Sequence, residues 1–205
     1  MDTENQREIQ VFELGFDHRH FSEFLYTNES DISKIQALYD GLTFAEVGLN
    51  TIRVDPADEG FRDGEPNDRP FGNLSYLASG FAVFDRTAVE TLNEILREGG
   101  ELLPLESIVG EYYLFNCTRF VDSLDRDRGE FKYFLDRKRI RQVVRWWFVP
   151  EKLKGVSVFR AVDSRGSLLV TDLFMRRIED AKLSGFLCPR LWGSSDKVPT
   201  LRKLP

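Results

Sequence analysis

Histidine, cysteine and uninterrupted apolar sequence are all scarce in this chain. Its 205 residues include two His and two Cys. Cys117 and Cys188 lie 71 positions apart, which excludes a Cys-rich zinc scaffold and a multi-bridge disulfide framework. No stretch approaches the roughly 18 apolar residues that a membrane span requires. The polar start, Met1 to Gln10, has no basic region leading into an apolar core, so no secretory signal is expected. The expected setting is the cytoplasm, with both thiols reduced and buried as small hydrophobes among Leu114, Phe115, Phe186 and Leu187. Positive charge is also in deficit. Lys and Arg number 28 against 34 Asp and Glu, giving 28 − 34 = −6, the wrong sign for sequence-independent nucleic-acid binding.

What is present is the material of a folded core. Hydrophobic residues make up 41% and aromatic residues 13%, with 17 Phe, so the chain is globular rather than disordered. A chain of this length buries about 70% of its unfolded surface and needs no metal or disulfide for stability. Along the chain, Asp31 to Tyr39 reads as a short helix that Gly41 stops, and a strand is expected within 45–54 with Val47, Leu49, Ile52 and Val54 inward. A main helix is expected over about 85–98, capped by Asp85, with Ala88, Leu92 and Leu96 on one face and Gly99-Gly100 at its end. A second is expected over about 172–182, capped by Thr171. Strand-like runs fall at 102–109, 112–121, 139–149, 156–162 and 186–192. This order predicts an α+β fold, a mostly antiparallel sheet flanked by two main helices, with a small N-terminal helix. The expected division is an N-terminal α/β extension over 1–72, a main domain over 73–192 and a polar tail over 193–205.

Residues 55–70 differ in composition, with six acids, two Arg, three Pro and two Gly. The acids are Asp55, Asp58, Glu59, Asp63, Glu65 and Asp68, and the local charge is 2 − 6 = −4. This turn-rich stretch reads as an exposed acidic loop. The opposite concentration is Arg126 to Arg145, with eight Lys or Arg against three acids, +5. Interleaved with Tyr133, Phe134, Trp146 and Trp147, it suits stacking on single-stranded nucleic acid. The plainer reading is a strand with a solvated basic face, Arg139, Arg141 and Arg145 alternating with inward Ile140 and Val144.

Groups that could carry a reaction are few. His18 and His20 with Asp17 form the one His-x-His stretch that could address a metal. Asp122, Asp125 and Asp127 precede Gly129 in a calcium-loop-like run. Setting Gly129 at loop position 6 puts Leu124 and Arg126 at coordinating positions, so that match fails. The three carboxylates could serve as an acid/base set, or close a turn and pair with nearby Arg. Neither glycine-rich phosphate-binding motif is present.

From Asn73 onward the chain resembles the immunity-protein domain of bacterial polymorphic-toxin systems first defined on a myxobacterial protein. The resemblance rests on Ser79 to Leu92 (SGFAVFDRTAVETL), Gly100 to Leu105 (GELLPL), Glu111 to Cys117 (EYYLFNC), Val121 to Asp125 (VDSLD), Val158-Phe-Arg160, Leu169 to Phe174 (LVTDLF) and Leu183 to Phe186 (LSGF). It implies a cytoplasmic, non-catalytic protein that binds and neutralises a cognate toxin encoded nearby, without cofactor, metal or catalytic residues. The acidic residues Asp55, Asp58, Glu59, Asp63, Glu65 and Asp68 are then the candidate partner-binding patch. Phe159 is expected to be buried and Arg160 exposed. The rival reading is a small nucleic-acid-associated protein, or a metal-dependent hydrolytic enzyme using Asp122, Asp125 and Asp127.

Overall fold

A computed structural model describes residues 8–57, 68–77, 81–135 and 139–197. The described chain is dominated by thirteen strands, in three separate β-assemblies rather than one flanked sheet. The first is a closed six-stranded barrel. Its strands are β2 (Phe24–Tyr26), β3 (Ile52–Pro56), β4 (Leu74–Leu77), β5 (Phe81–Asp85), β6 (Gly100–Glu106) and β7 (Tyr112–Cys117), in the order β2-β3-β6-β7-β5-β4. The second is a five-stranded sheet ordered β13-β1-β12-β11-β8. It comprises β1 (Gln10–Glu13), β8 (Phe120–Val121), β11 (Val158–Ala161), β12 (Ser164–Thr171) and β13 (Arg190–Gly193). The third is a two-stranded ribbon of β9 (Glu130–Tyr133) and β10 (Ile140–Arg145).

Alternation of apolar residues makes the barrel strands two-faced. Phe24, Ile52, Val54, Leu77, Phe81, Val83, Leu103, Leu105, Tyr112 and Leu114 form one buried cluster. Ile35 and Leu38 join it from α1 (Glu29–Ala37) and the 3-10 turn that follows, and Phe44 joins it from α2 (Phe44–Val47). Two pairings that close the barrel are parallel, Phe24 with Leu77 and Ile52 with Leu105. The strand expected within 45–54 is thus half helix. Thr43 and Glu46 form a capping box that starts α2, Gly48 ends it at φ 69°, and the strand begins only at Ile52.

Two helices, α3 (Arg86–Gly99) and α4 (Asp172–Asp180), pack their apolar faces into the cluster shared by barrel and sheet. Asp85 caps α3 by accepting from Ala88 N at 2.7 Å, and Thr171 caps α4 by accepting from Leu173 N at 3.3 Å. The apolar faces, Ala88, Leu92 and Leu96 on α3 and Phe174 and Ile178 on α4, meet Phe84 and Phe115 of the barrel and Val158 and Val170 of the sheet. The expectation of one sheet flanked by helices is therefore corrected: the architecture is mostly β, with a closed six-stranded barrel, and each of these helices buries one face against both β-assemblies while the other face stays exposed. Local periodicity specifies an element but not which sheet each strand joins, and parallel pairings leave no hairpin signal between neighbours.

The opposite face of the five-stranded sheet carries Val11, Phe159, Ala161, Leu169 and Trp192, which pack with Trp147, Phe148 and Leu153. Because β11 is covered on both faces, all four of its residues are buried. This corrects the expectation that Arg160 is exposed. Arg160 is 2% exposed and reaches across to the barrel, with its guanidinium 5.0 Å from the Tyr39 ring centroid and 5.9 Å from that of Phe81.

Candidate functional site

The segments quoted for the family resemblance converge on structural bonds rather than on a reaction centre. Asn73 links two of them. Its Nδ2 donates to Asp85 Oδ2 at 2.9 Å, while its Oδ1 accepts from Ser184 N at 2.8 Å and from Ser184 Oγ at 3.1 Å. Next to Ser184, Gly185 has φ 89°, and a Cβ there would lie 2.1 Å from Leu74 O. Both the left-handed conformation and the close backbone approach require glycine. Asn116 is fully buried, and its Nδ2 donates to Leu42 O and to Glu101 Oε1, each at 2.9 Å. Glu101 Oε1 also accepts from Phe44 N at 2.8 Å, tying the start of α2 to β6 and β7.

Of the acids between 122 and 127, Asp122 and Asp125 are occupied by local structure and Asp127 is exposed. Asp125 Oδ1 accepts from Asp127 N and Arg128 N, each at 3.0 Å, which closes the turn that precedes β9. Asp122 pairs with Lys152 at 2.9 Å, and Arg126 pairs with Asp163 at 2.6 Å. His20 Nδ1 lies 2.7 Å from Asp17 Oδ2, and this hydrogen bond holds the Asp17 carboxyl below its ordinary range. Among the described residues, no group of three or more His, Cys, Asp or Glu is gathered to hold a metal ion. No described helix is long and apolar enough to cross a membrane.

Of the acidic candidate residues, Asp55 is exposed on β3 and Asp68 is exposed just before Arg69. Asp58, Glu59, Asp63 and Glu65 lie outside the described residues. The described ends of this stretch are anchored at neighbouring positions. Ala57 N donates to Glu23 O at 3.0 Å, Ser22 N to Pro70 O at 3.0 Å and Ser22 Oγ to Arg69 O at 2.6 Å.

The basic stripe divides differently from the alternation expected of it. Trp147 is buried, stacked edge-on against Trp192 at 6.3 Å, and Trp146 lies parallel to Phe148 at 5.7 Å. Both indoles belong to the core and are withdrawn from any nucleic-acid stacking role. Register shifts between Ile140 and Gln142 and between Val143 and Arg145 break the alternation of β10. Val143 therefore packs toward the core, and Val144 is 45% exposed. Tyr133 and Phe134 were visible in the sequence as aromatics of the stripe; the bulges that turn Val144 outward have no sequence signal.

Cys117 and Cys188 are unreactive in this setting. Burial pushes both thiols up, each to about 11, so neither is a thiolate near neutrality. Native Cys117 is expected to resist iodoacetamide at pH 8 and to label once the protein is unfolded; rapid native labelling would contradict its burial. The folded state holds this proton more tightly than the unfolded chain, whose thiol titrates near 9.0. The stabilisation is therefore complete below pH 9 and is lost as pH rises from about 9 to about 11. The loss is about 2–3 kcal/mol for this fully buried thiol, at 1.36 kcal/mol per unit, and alkaline melts read it.

These side chains cap helices, close turns and pack the core. Residues 106–188 match the family model described as Immunity protein family (Imm11). The matched segment runs from the end of β6 through β7–β12 and α4 to Cys188, and it contains the whole β9–β10 ribbon. An immunity-protein domain signature in this part of the chain fits a non-enzymatic role. No curated protein matches the chain in sequence.

Proposed function

We propose that the chain is a non-catalytic immunity protein of the cytoplasm, which binds and neutralises a cognate toxin effector encoded beside it. The family match over residues 106–188 is the observation that carries this reading. The use of Asp122 and Asp125 in an ion pair and a turn, and the protonated buried thiols, support it. In the test, the C-terminal domain of the toxin encoded by the adjacent reading frame is expressed with and without this chain. Growth is expected to be restored only when both are present, and the two purified proteins are expected to form a one-to-one complex. Persistent toxicity with no complex would sink the reading.

The residues Asp55, Asp58, Glu59, Asp63, Glu65 and Asp68 are proposed to steer encounter with a basic face of that toxin, because an acidic surface accelerates association with a basic partner. In the same purified system, neutralising Asp58, Glu59, Asp63 and Glu65 together is expected to slow association by about tenfold at low salt and to flatten its salt dependence. Unchanged kinetics would remove this patch from the interface.

A further inference from the structure

The turn between β6 and β7 carries two β-branched apolar residues into solvent, Ile108 at 81% exposure and Val109 at 40%. We propose that this pair is the apolar anchor of the toxin interface, seated in an apolar recess that the toxin flanks with Lys or Arg. The proposal rests on the immunity reading and names the contact through which it is carried out.

Neither turn chemistry nor packing calls for these side chains. Turns favour Gly, Pro, Asn, Asp and Ser, and here Ser107 and Gly110 already supply what the backbone needs. Ser107 Oγ accepts from Val109 N at 3.2 Å, and Gly110 takes φ 142°, a conformation that side chains rarely adopt. The Ile108 and Val109 side chains add nothing to either, although Ile and Val are among the residue types most often fully buried. They belong to none of the three buried clusters. The turn is also held still. β6 and β7 pair without a break from Gly100 opposite Cys117 to Leu105 opposite Tyr112, and beside them Arg86 N donates to Glu111 O at 3.2 Å. Apolar side chains presented on a preorganised turn bind with little loss of conformational entropy.

The neighbours of the turn set the chemistry of the recess. Arg53 on β3 lies opposite Glu106 on β6 in a parallel pairing, so Asp55 and Ile108, each two residues further on, leave the barrel at one end. Leu25 stands opposite Asp55 on the far side of β3 and is 42% exposed, which widens the apolar surface. Over residues 53–56, 85–90 and 106–111, two Arg stand against five acids, 2 − 5 = −3. Arg86 is held between Glu90 at 2.8 Å and Glu111 at 3.1 Å, so the charge offered to a partner is negative. That sign repels phosphate backbones and anionic headgroups and attracts a protein surface bearing Lys or Arg. Asp55 is also one of the steering acids, so encounter and anchoring fall on one end of the barrel.

The test uses the full chain and the purified C-terminal domain of the adjacent toxin, with calorimetry at about 150 mM salt, where surface charges are screened beyond about 8 Å. Ile108→Ser/Val109→Ser is expected to weaken binding by about thirtyfold, as for residues central to an interface, with an unchanged melting curve. Leu187→Ser, which removes an apolar side chain 55% exposed elsewhere on the surface, is expected to bind as the unaltered chain does. Glu106→Lys is expected to weaken binding by about tenfold, a loss that shrinks as salt is raised. If the double Ser variant melts early, Ile108→Ser alone carries the apolar arm. Equal binding by the unaltered chain and the double Ser variant overturns the anchor and leaves the immunity reading standing, as does an equal loss with Leu187→Ser. No effect, or a gain, from Glu106→Lys overturns the basic flank of the recess. No binding by the unaltered chain overturns the immunity reading itself. A dimer of the unaltered chain that the double Ser change dissociates also overturns the proposal, because the pair then serves a second copy.

Discussion

Phe159→Ala is expected to remove about 3–5 kcal/mol of stability, the usual cost of truncating a buried Phe whose surroundings cannot collapse. Phe159 is completely buried in the middle of β11, edge-on to Phe148 at 6.2 Å, within a cluster closed by Trp147, Leu169 and Trp192. The strands on either side are fixed by register, Phe159 opposite Leu169 on β12 and Arg160 opposite Phe120 on β8, so little can move into the void. Against the 5–15 kcal/mol typical of a whole domain, this is a large fraction. A urea titration would show the midpoint falling at unchanged slope. A loss below about 1 kcal/mol would mean that this face of the sheet is not closed as described.

The neighbouring residue is expected to respond with the opposite sign. Arg160→Met should leave stability unchanged or raise it by about 1–4 kcal/mol, because a buried charge costs several kcal/mol in desolvation. Among the described residues no carboxylate acts on Arg160, its Nε has no hydrogen-bond partner there, and burial pulls its guanidinium below the ordinary arginine range. Its compensation consists of the Tyr39 and Phe81 rings and a bond from Nη1 to the Arg165 carbonyl. Arg165 is exposed, so water can satisfy that carbonyl after the change, and Met fills the same slot without a charge. Thermal melts of the Met and Ala variants separate the contributions. Met should match or exceed the parent, and Ala should fall below it by opening a cavity between barrel and sheet. A Met variant that unfolds several degrees earlier would show that the two ring contacts outweigh desolvation.

These two positions also show what could be read before the structure. Side chains that act within one turn of backbone were legible: Asp85 and Thr171 cap the helices that follow them, and Gly41, at φ 90°, ends the first helical segment. The assignment of strands to assemblies was not. Phe24 pairs in parallel with Leu77, and Ile52 with Leu105, across more than fifty residues, and no local pattern encodes such a partner. Arg160 was misread for the same reason, since a polar residue between apolar ones signals a solvent face only when one side of the sheet is open. At the candidate site the charge asymmetry was visible in the residues, and so was the aromatic content of the basic stripe. The division of that content into core indoles and exposed hairpin residues depended on two bulges within six residues of β10.

The interior position of β1, between β13 and β12, has a consequence for synthesis. Val11 is bonded opposite Thr171 on one side and opposite Trp192 on the other, so an early strand occupies the interior of a sheet completed by a late one. At ribosomal speeds of about 5–20 residues per second, the partners of β1 emerge on the order of ten to forty seconds after it. The barrel strands, all within residues 24–117, are available well before that. The nascent chain therefore spends most of its synthesis with two strand edges unpaired at its leading end, a period in which chaperone capture or aggregation competes with folding. The ribbon between β8 and β11 is also made before the sheet beneath it is whole. The five-stranded sheet is complete only after its last strand is released, which sets a minimum delay between translation and the finished fold.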